Sequence, residues 1–137
     1  MKKIIINHRN STKAIYPKSL IEKTLTQYLQ DKLSFDTIVI SVWAVGESRI
    51  RQLNAKFRQI DSVTDVLSFT AFNRDETEMI NLGEIVYCPK IVTLQAKRFN
   101  QLMEDELRLY LRHSIDHLLE EYNSRRVNAK TTDSNRS

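Results

Sequence analysis

Runs of hydrophobic residues divide most of the chain into short segments of secondary structure. Residues 3–7 and 37–45 are rich in β-branched side chains and predict two strands, and residues 64–70 and 84–88 predict two more. Residues 17–33, 47–57, 89–102 and 104–119 carry hydrophobic side chains at helical spacing. The pattern predicts a single α/β domain with about four strands and four or five helices.

The composition changes after residue 123. Residues 124–137 are polar and contain four Lys or Arg residues and one acid, so we expect a disordered basic tail after a domain of residues 1–123. Residues 1–30 are also basic, with six Lys or Arg residues and one acid, whereas residues 31–123 carry eleven and fifteen. Basic ends suit contact with a polyanion. The alternative explanation is a solvated helix face and a solubilising tail.

Several features restrict the class of protein. The chain has no hydrophobic run near the ~20 residues that a membrane span requires. The hydrophobic stretch at its N-terminus is too short for a signal peptide. Cys88 is the single cysteine and cannot form an internal disulfide. We therefore expect a protein of the cytoplasm or of an organelle matrix, without a membrane.

Two histidines four residues apart, His113 and His117, are the first candidate for chemistry. Residues at this spacing share one helix face, so both imidazoles could bind one metal ion. Ser114 stands where H-E-x-x-H metallopeptidases have glutamate, which disfavours that class. A catalytic zinc ion normally takes three protein ligands. Asn123, six residues after His117, stands where a third ligand would be expected. The alternative is that one histidine belongs to the hydrophobic core.

A second candidate lies where a predicted helix turns into a strand, at residues 53–69. Arg58, Asp61, Thr64 and Asp65 fall at this boundary, where binding sites are often built. Arg58 could bind a phosphate through two parallel hydrogen bonds. Alternatively, Arg58 forms an ion pair with Asp61 or Asp65 that only fixes the turn. A third stretch, residues 81–86, contains Gly83, which would allow close approach of the backbone.

These stretches together resemble the YbeY family of metal-dependent endoribonucleases, the rRNA maturation factors. The family pattern L-N-x-x-(F/Y)-R-x-x-D-x-x-T-(D/N)-V-L-S-F resembles residues 53–69, its L-G-(D/E)-I resembles residues 82–85, and its H-G-x-L-H helix resembles residues 113–117. Residues 91–100, which include Gln95 and Ala96, resemble the helix between the last two patterns. The resemblance implies a four-stranded mixed sheet packed with four or five helices.

The resemblance also implies a function. Family members bind one zinc ion (Zn2+) through three histidines and use an arginine of the first pattern. His113 and His117 match two of the histidine positions, and Asn123 stands at the third. Arg58 matches the arginine of the first pattern. The implied activity is single-strand-specific cleavage of rRNA in rRNA maturation and ribosome quality control. The implied partners are rRNA, the ribosomal subunit and ribosome-assembly proteins, with no small-molecule cofactor. We expect RNA to be bound by Lys56, Arg58, Arg125 and Arg126.

Differences from the family pattern concentrate at the ligand positions. Ser114, Asp116, Glu120, Tyr122 and Asn123 replace glycine, leucine, glycine, aspartate and histidine. Because the spacing is kept, we expect a loop after His117 to direct residue 123 inward. Glu120, Glu121 or a carbonyl could supply an oxygen ligand, which would favour a harder ion. Two other functions stay open: a non-catalytic ribosome-associated RNA-binding factor, and a metal hydrolase for a small substrate.

Overall fold

A computed structural model describes the backbone of residues 2–74 and 78–134 and the side chains of residues 2–72 and 78–126. Its elements in chain order are β1 (Lys3–Asn10), α1 (Lys18–Leu29), β2 (Thr37–Ala44), α2 (Glu47–Arg58), β3 (Val66–Arg74), β4 (Met79–Tyr87), α3 (Pro89–Arg98) and α4 (Met103–Ser134). The described part of the chain therefore holds four strands and four helices. No described helix is long and apolar enough to cross a membrane.

The four strands form one mixed sheet in the order β1-β2-β4-β3. β1 pairs with β2 in parallel, β2 pairs with β4 in parallel, and β3 pairs with β4 in the antiparallel direction. This arrangement confirms the predicted fold class. It also leaves β3 as an edge strand, with α2 preceding it in the chain and α4 packed against it.

The main hydrophobic core covers one face of the sheet. Strand residues that point to this face alternate with half-exposed ones, as in Ile38, Ile40 and Val42 of β2. They pack against hydrophobic side chains of α1 and α4, including Leu25 and Leu111. Burial of this face places α4 along β3 and β4 and so fixes which side of α4 faces solvent.

A smaller core lies on the opposite face of the sheet. Val45, Ile50, Leu67, Val86 and Cys88 are buried there, beneath α2. Cys88 is 1% exposed and packs within this cluster, and burial raises the pKa of its thiol. The cluster covers only part of this face, and grooves follow the rest of it.

β3 and β4 extend further than the sequence pattern predicts, because β4 begins at Met79 rather than at Glu84. Its first half includes Asn81 and Gly83, which hide the strand signal. Gly83 has φ of 144°, and a Cβ there would lie 2.1 Å from the carbonyl oxygen of Phe69. The register of β3 against β4 shifts between Thr70 and Asn73. Gly83 is thus required by the close approach of β3.

α4 is longer than predicted. The sequence pattern predicts an end near Leu119 and a disordered tail from residue 124, whereas the helical backbone runs to Ser134. No glycine or proline follows Pro89 in the sequence, so no residue breaks the helix. Tyr122 is 8% exposed and packs edge-on against Phe35 and Phe72, which anchors α4 beyond Leu119. Residues 135–137 of the predicted tail lie outside the described residues.

Candidate active-site cleft

Two of the predicted site residues, Arg58 and His117, line one cleft of about 520 Å³ at the β3 edge of the sheet. We call it the His117 cleft. Its walls come from the end of α2, from β3 and from α4, and its lining residues are Phe57, Arg58, Ser68, Phe69, Thr70, His117 and Glu121. The fold therefore brings together residues that are 59 positions apart in the chain.

A hydrogen bond to Ser68 fixes the ring of His117. The Ser68 Oγ and His117 Nδ1 atoms are 2.8 Å apart. The ring keeps its Nε2 atom for a group in the cleft. Ser68 is a site residue that no sequence motif indicates, although the alternation of the predicted strand at residues 64–70 places it on the opposite face from Leu67.

Arg58 is the last residue of α2 and is exposed. The helix ends because Gln59 adopts a left-handed conformation with φ of 58°. The alternative that Arg58 pairs with an acid of the turn is wrong for Asp61, which binds Arg51 at 2.8 Å. That guanidinium holds the pKa of the Asp61 carboxyl below its usual range.

Asp65 is also engaged elsewhere. Its Oδ1 atom accepts a hydrogen bond of 2.8 Å from the backbone N–H of Val66. Its carboxyl also accepts a hydrogen bond from the Tyr110 hydroxyl, and burial together with this hydrogen bond raises the pKa of Tyr110. Arg58 forms no ion pair with any residue that the structure describes. Its guanidinium is thus available to a ligand of the cleft.

Further cations border the cleft. The Arg125 Nη2 atom donates to Thr70 Oγ1 at 3.1 Å, and its guanidinium lies 4.8 Å from the ring centre of Phe72. Lys56 Nζ lies 5.3 Å from the ring centre of Phe57. Arg126 is exposed and does not line the cleft.

The predicted metal ligands are only partly brought together. His113 lies one turn before His117 and is exposed. Asn123 is also exposed, but α4 continues unbroken past Glu120, so no loop carries residue 123 back towards His117. Six residues of helix amount to a rotation of about 600°, which places Asn123 about 120° away from His117 around the axis. Glu121 alone of the proposed oxygen ligands lines the cleft.

The residues present do not fit a three-ligand zinc site. Within the described side chains, no group of three or more His, Cys, Asp and Glu residues is placed to hold a metal ion. Two imidazoles on one helix face form a weak, hydrated site.

The fold and the cleft define a class: a mixed α/β domain in which an arginine and a histidine line one cleft with further cations at its border. An arginine in such a cleft suits a substrate that carries phosphate. The family is shown by sequence. Residues 5–130 match the sequence model of a family described as Endoribonuclease YbeY, and the chain belongs to that family.

Individual relatives agree with this family. A protein of Thermodesulfovibrio yellowstonii named Endoribonuclease YbeY is 43% identical over 82 residues, which cover 60% of this chain and 52% of the relative. One of Finegoldia magna with the same name is 40% identical over 99 residues, or 72% of this chain and 65% of the relative. The chain thus spans between half and two thirds of the length of these two curated relatives.

A solved structure is also similar. The solution structure of TM1509 from Thermotoga maritima has a TM-score of 0.58 and 30% sequence identity, and the match covers 84% of this chain and 72% of that one. The likeness agrees with the four-stranded mixed sheet described above.

Proposed function

We propose that this chain is a single-strand-specific endoribonuclease that acts in rRNA maturation and ribosome quality control. The observation that carries the proposal is the His117 cleft, in which an arginine without a recorded ion-pair partner among the described residues and a positioned histidine face one volume. Family membership adds the RNA substrate, because the matching relatives are named as endoribonucleases. The proposed partners are rRNA, the ribosomal subunit and ribosome-assembly proteins.

Each cleft residue has a part that follows from its chemistry. The Arg58 guanidinium binds a phosphodiester through two parallel N–H donors and offsets the charge that develops on its oxygens during cleavage. Ser68 positions His117, whose second ring nitrogen is left for the substrate. Lys56 and Arg125 bind flanking phosphates, and Arg126 adds charge on the same helix as Arg125.

A non-catalytic RNA-binding factor is the second candidate, and the position of Asn123 favours it. Arg58 lines the cleft and Lys56 and Arg125 border it, whereas Asn123 lies about 120° around α4 from His117. Such a protein binds single-stranded RNA through Arg58, Lys56 and Arg125 and leaves it intact.

Cleavage and binding of one RNA separate the two candidates. An end-labelled single-stranded RNA of about 20 nucleotides is incubated with the protein, once with added zinc and once with a chelator, and binding is followed by fluorescence anisotropy. We expect Arg58→Ala to lower cleavage well over tenfold, since loss of a single transition-state hydrogen-bond donor costs about 100- to 1000-fold. Its melting temperature should stay within a few degrees, because Arg58 is exposed and has no recorded ion pair among the described residues.

Arg51→Ala is the matched control. It removes the same charge from the same helix, but Arg51 is bonded to Asp61 and does not line the cleft. Arg51→Ala should therefore cleave like the wild type. Tight binding by the wild type without cleavage under both conditions would support the non-catalytic factor instead. Equal loss of cleavage in Arg51→Ala and Arg58→Ala would remove Arg58 from the site.

A further inference from the structure

The open face of the sheet carries a groove that continues from the His117 cleft. This sheet-face groove has a volume of about 360 Å³ and is lined in part by Ser41, Trp43, Phe57, Phe69 and Glu84. It shares Phe57, Phe69 and Thr70 with the His117 cleft. Because the two volumes share these lining residues, they lie next to each other at the β3 edge of the sheet.

A further pocket extends the path to the opposite edge of the sheet. It measures about 200 Å³, includes Asn7 and Arg9 of β1, and shares Ser41, Trp43 and Glu84 with the sheet-face groove. The register explains the alignment, since Asn7 pairs with Ser41 and Ser41 pairs with Glu84. Three strand spacings separate β3 from β1, so the path across the sheet is about 14 Å long.

The far end of this path combines an aromatic ring with two cations. The guanidinium of Arg9 lies 4.3 Å from the ring centre of Trp43, and that of Arg49 lies 5.9 Å from it. The indole N–H donates to Ser11 Oγ at 2.8 Å, which fixes the ring plane. Arg9 and Arg49 are exposed and have no recorded ion pair among the described residues.

Aromatic rings lie along the path, and cations lie at its two ends. Phe57 and Phe69 pack edge-on at a ring distance of 5.0 Å where the cleft and the groove meet. Arg58 lies at one end of the path, and Arg9 and Arg49 lie at the other. Aromatic rings that stack on bases, combined with cations that bind phosphates, are the features that bind single-stranded nucleic acid without strong sequence preference.

We infer that single-stranded RNA extends from the His117 cleft across the open sheet face, with one base stacked on Trp43 and its phosphates bound by Arg9 and Arg49. This inference rests on the proposed function, because the cleft supplies the start of the path. Glu84 lies in the middle of the groove, where its carboxylate repels phosphate and accepts hydrogen bonds from base amino groups or 2′-hydroxyls. The backbone of the RNA therefore follows the arginines.

Trp43 is the one tryptophan in the sequence, so its fluorescence reports on this end of the path directly. The wild-type protein is titrated with oligouridine of 3 and of 12 nucleotides, and Trp43 emission and the anisotropy of labelled RNA are recorded in parallel. We expect the 12-mer to quench Trp43 with the same dissociation constant that anisotropy gives. Anisotropy binding of the 12-mer without quenching would overturn the inference.

Substitutions test the same point without fluorescence. Trp43→Ala should weaken binding of the 12-mer by at least about fivefold, the lower end for loss of one base–aromatic stack, whereas Trp43→Phe keeps a stacking face and should stay within about twofold. Since Trp43 also packs beside the smaller core, Arg9→Gln with Arg49→Gln is measured as well. This pair should lower the salt slope of log affinity by about 1.4, at about 0.7 per phosphate contact.

Arg108→Gln is the control for charge. Arg108 lies on α4, pairs with Asp105 at 2.7 Å and borders neither groove. It should leave the salt slope unchanged, and an equal effect of Arg108→Gln would overturn the inference.

The result also separates this inference from the proposed function. Cleavage that depends on Arg58, with no effect of Trp43→Ala on 12-mer binding, retains the proposed function and overturns this inference. Quenching of Trp43 by RNA that stays intact supports this inference and contradicts the enzyme. Self-association that Trp43→Ala abolishes, without quenching by RNA, would assign the face to a second copy of the chain and overturn the inference.

Discussion

Restoring histidine at position 123 alone should not restore a zinc site. The sequence spacing predicts a loop after His117 that turns residue 123 inward, whereas α4 continues as a helix through residues 117 and 123. Six residues of helix place the two Cα atoms about 9 Å apart along the axis and about 120° apart around it. Residues four apart, such as His113 and His117, differ by only about 6 Å and 40°.

This geometry fixes the expected result. Asn123→His should change the zinc dissociation constant by less than about twofold, because the new imidazole cannot reach an ion that His113 and His117 share. Helix stability should also stay constant, since asparagine and histidine have similar helix propensities and residue 123 is exposed. His117→Ala removes one of the two imidazoles on this helix face and should weaken whatever binding the wild type shows.

Competition with a chromogenic chelator measures zinc affinity for the wild type, Asn123→His, Asn123→Ala and His117→Ala, and circular dichroism monitors the helix. Loss of an outer-shell partner costs about 10- to 100-fold in metal affinity, so a newly gained direct ligand should contribute at least about tenfold. A gain of that size in Asn123→His, absent in Asn123→Ala, would refute the reasoning. It would mean that α4 opens near Glu120 and that the chain follows the path of the family.

Two further predictions concern packing. Gly83→Ala should lower the free energy of unfolding, measured in urea titrations, by at least about 1–3 kcal/mol, because the new Cβ would lie 2.1 Å from a backbone oxygen of β3 at a positive φ. Gly46→Ala, with open space around its Cβ, should lower it by less than about 1 kcal/mol. Equal losses in the two variants would contradict the close-approach argument. Cys88 should react slowly with a thiol reagent in the native state and rapidly in urea, because burial raises its pKa and so lowers the thiolate fraction at neutral pH. Immediate stoichiometric labelling of native protein would contradict that burial.

Local sequence determined most of the elements. The β-branched run at residues 37–45 and the helical spacing after Pro89 each depend on neighbouring residues, and both elements formed where they were predicted, with α3 ending at Arg98. The patterns around Arg58 and at residues 113–117 also sufficed to indicate the family. Residue type and spacing are local properties, so the sequence displays them directly.

The tertiary structure decided which of these residues meet. Strand order places β3 at the edge of the sheet and brings Ser68 to His117, a contact between residues 49 positions apart that periodicity does not encode. The tertiary structure also pairs Asp61 with Arg51, whereas Arg58 lines the cleft.

The direction of Asn123 depended on tertiary packing as well. Spacing in the sequence cannot distinguish a loop from a continued helix, whereas burial of Tyr122 against Phe35 and Phe72 holds the segment helical. The path across the sheet face exists for the same reason, because only the pairing of β1 with β2 sets Arg9 beside Trp43. Packing between distant segments, rather than local preference, thus determines where Asn123 lies relative to His117 and which side chains meet on the open face of the sheet.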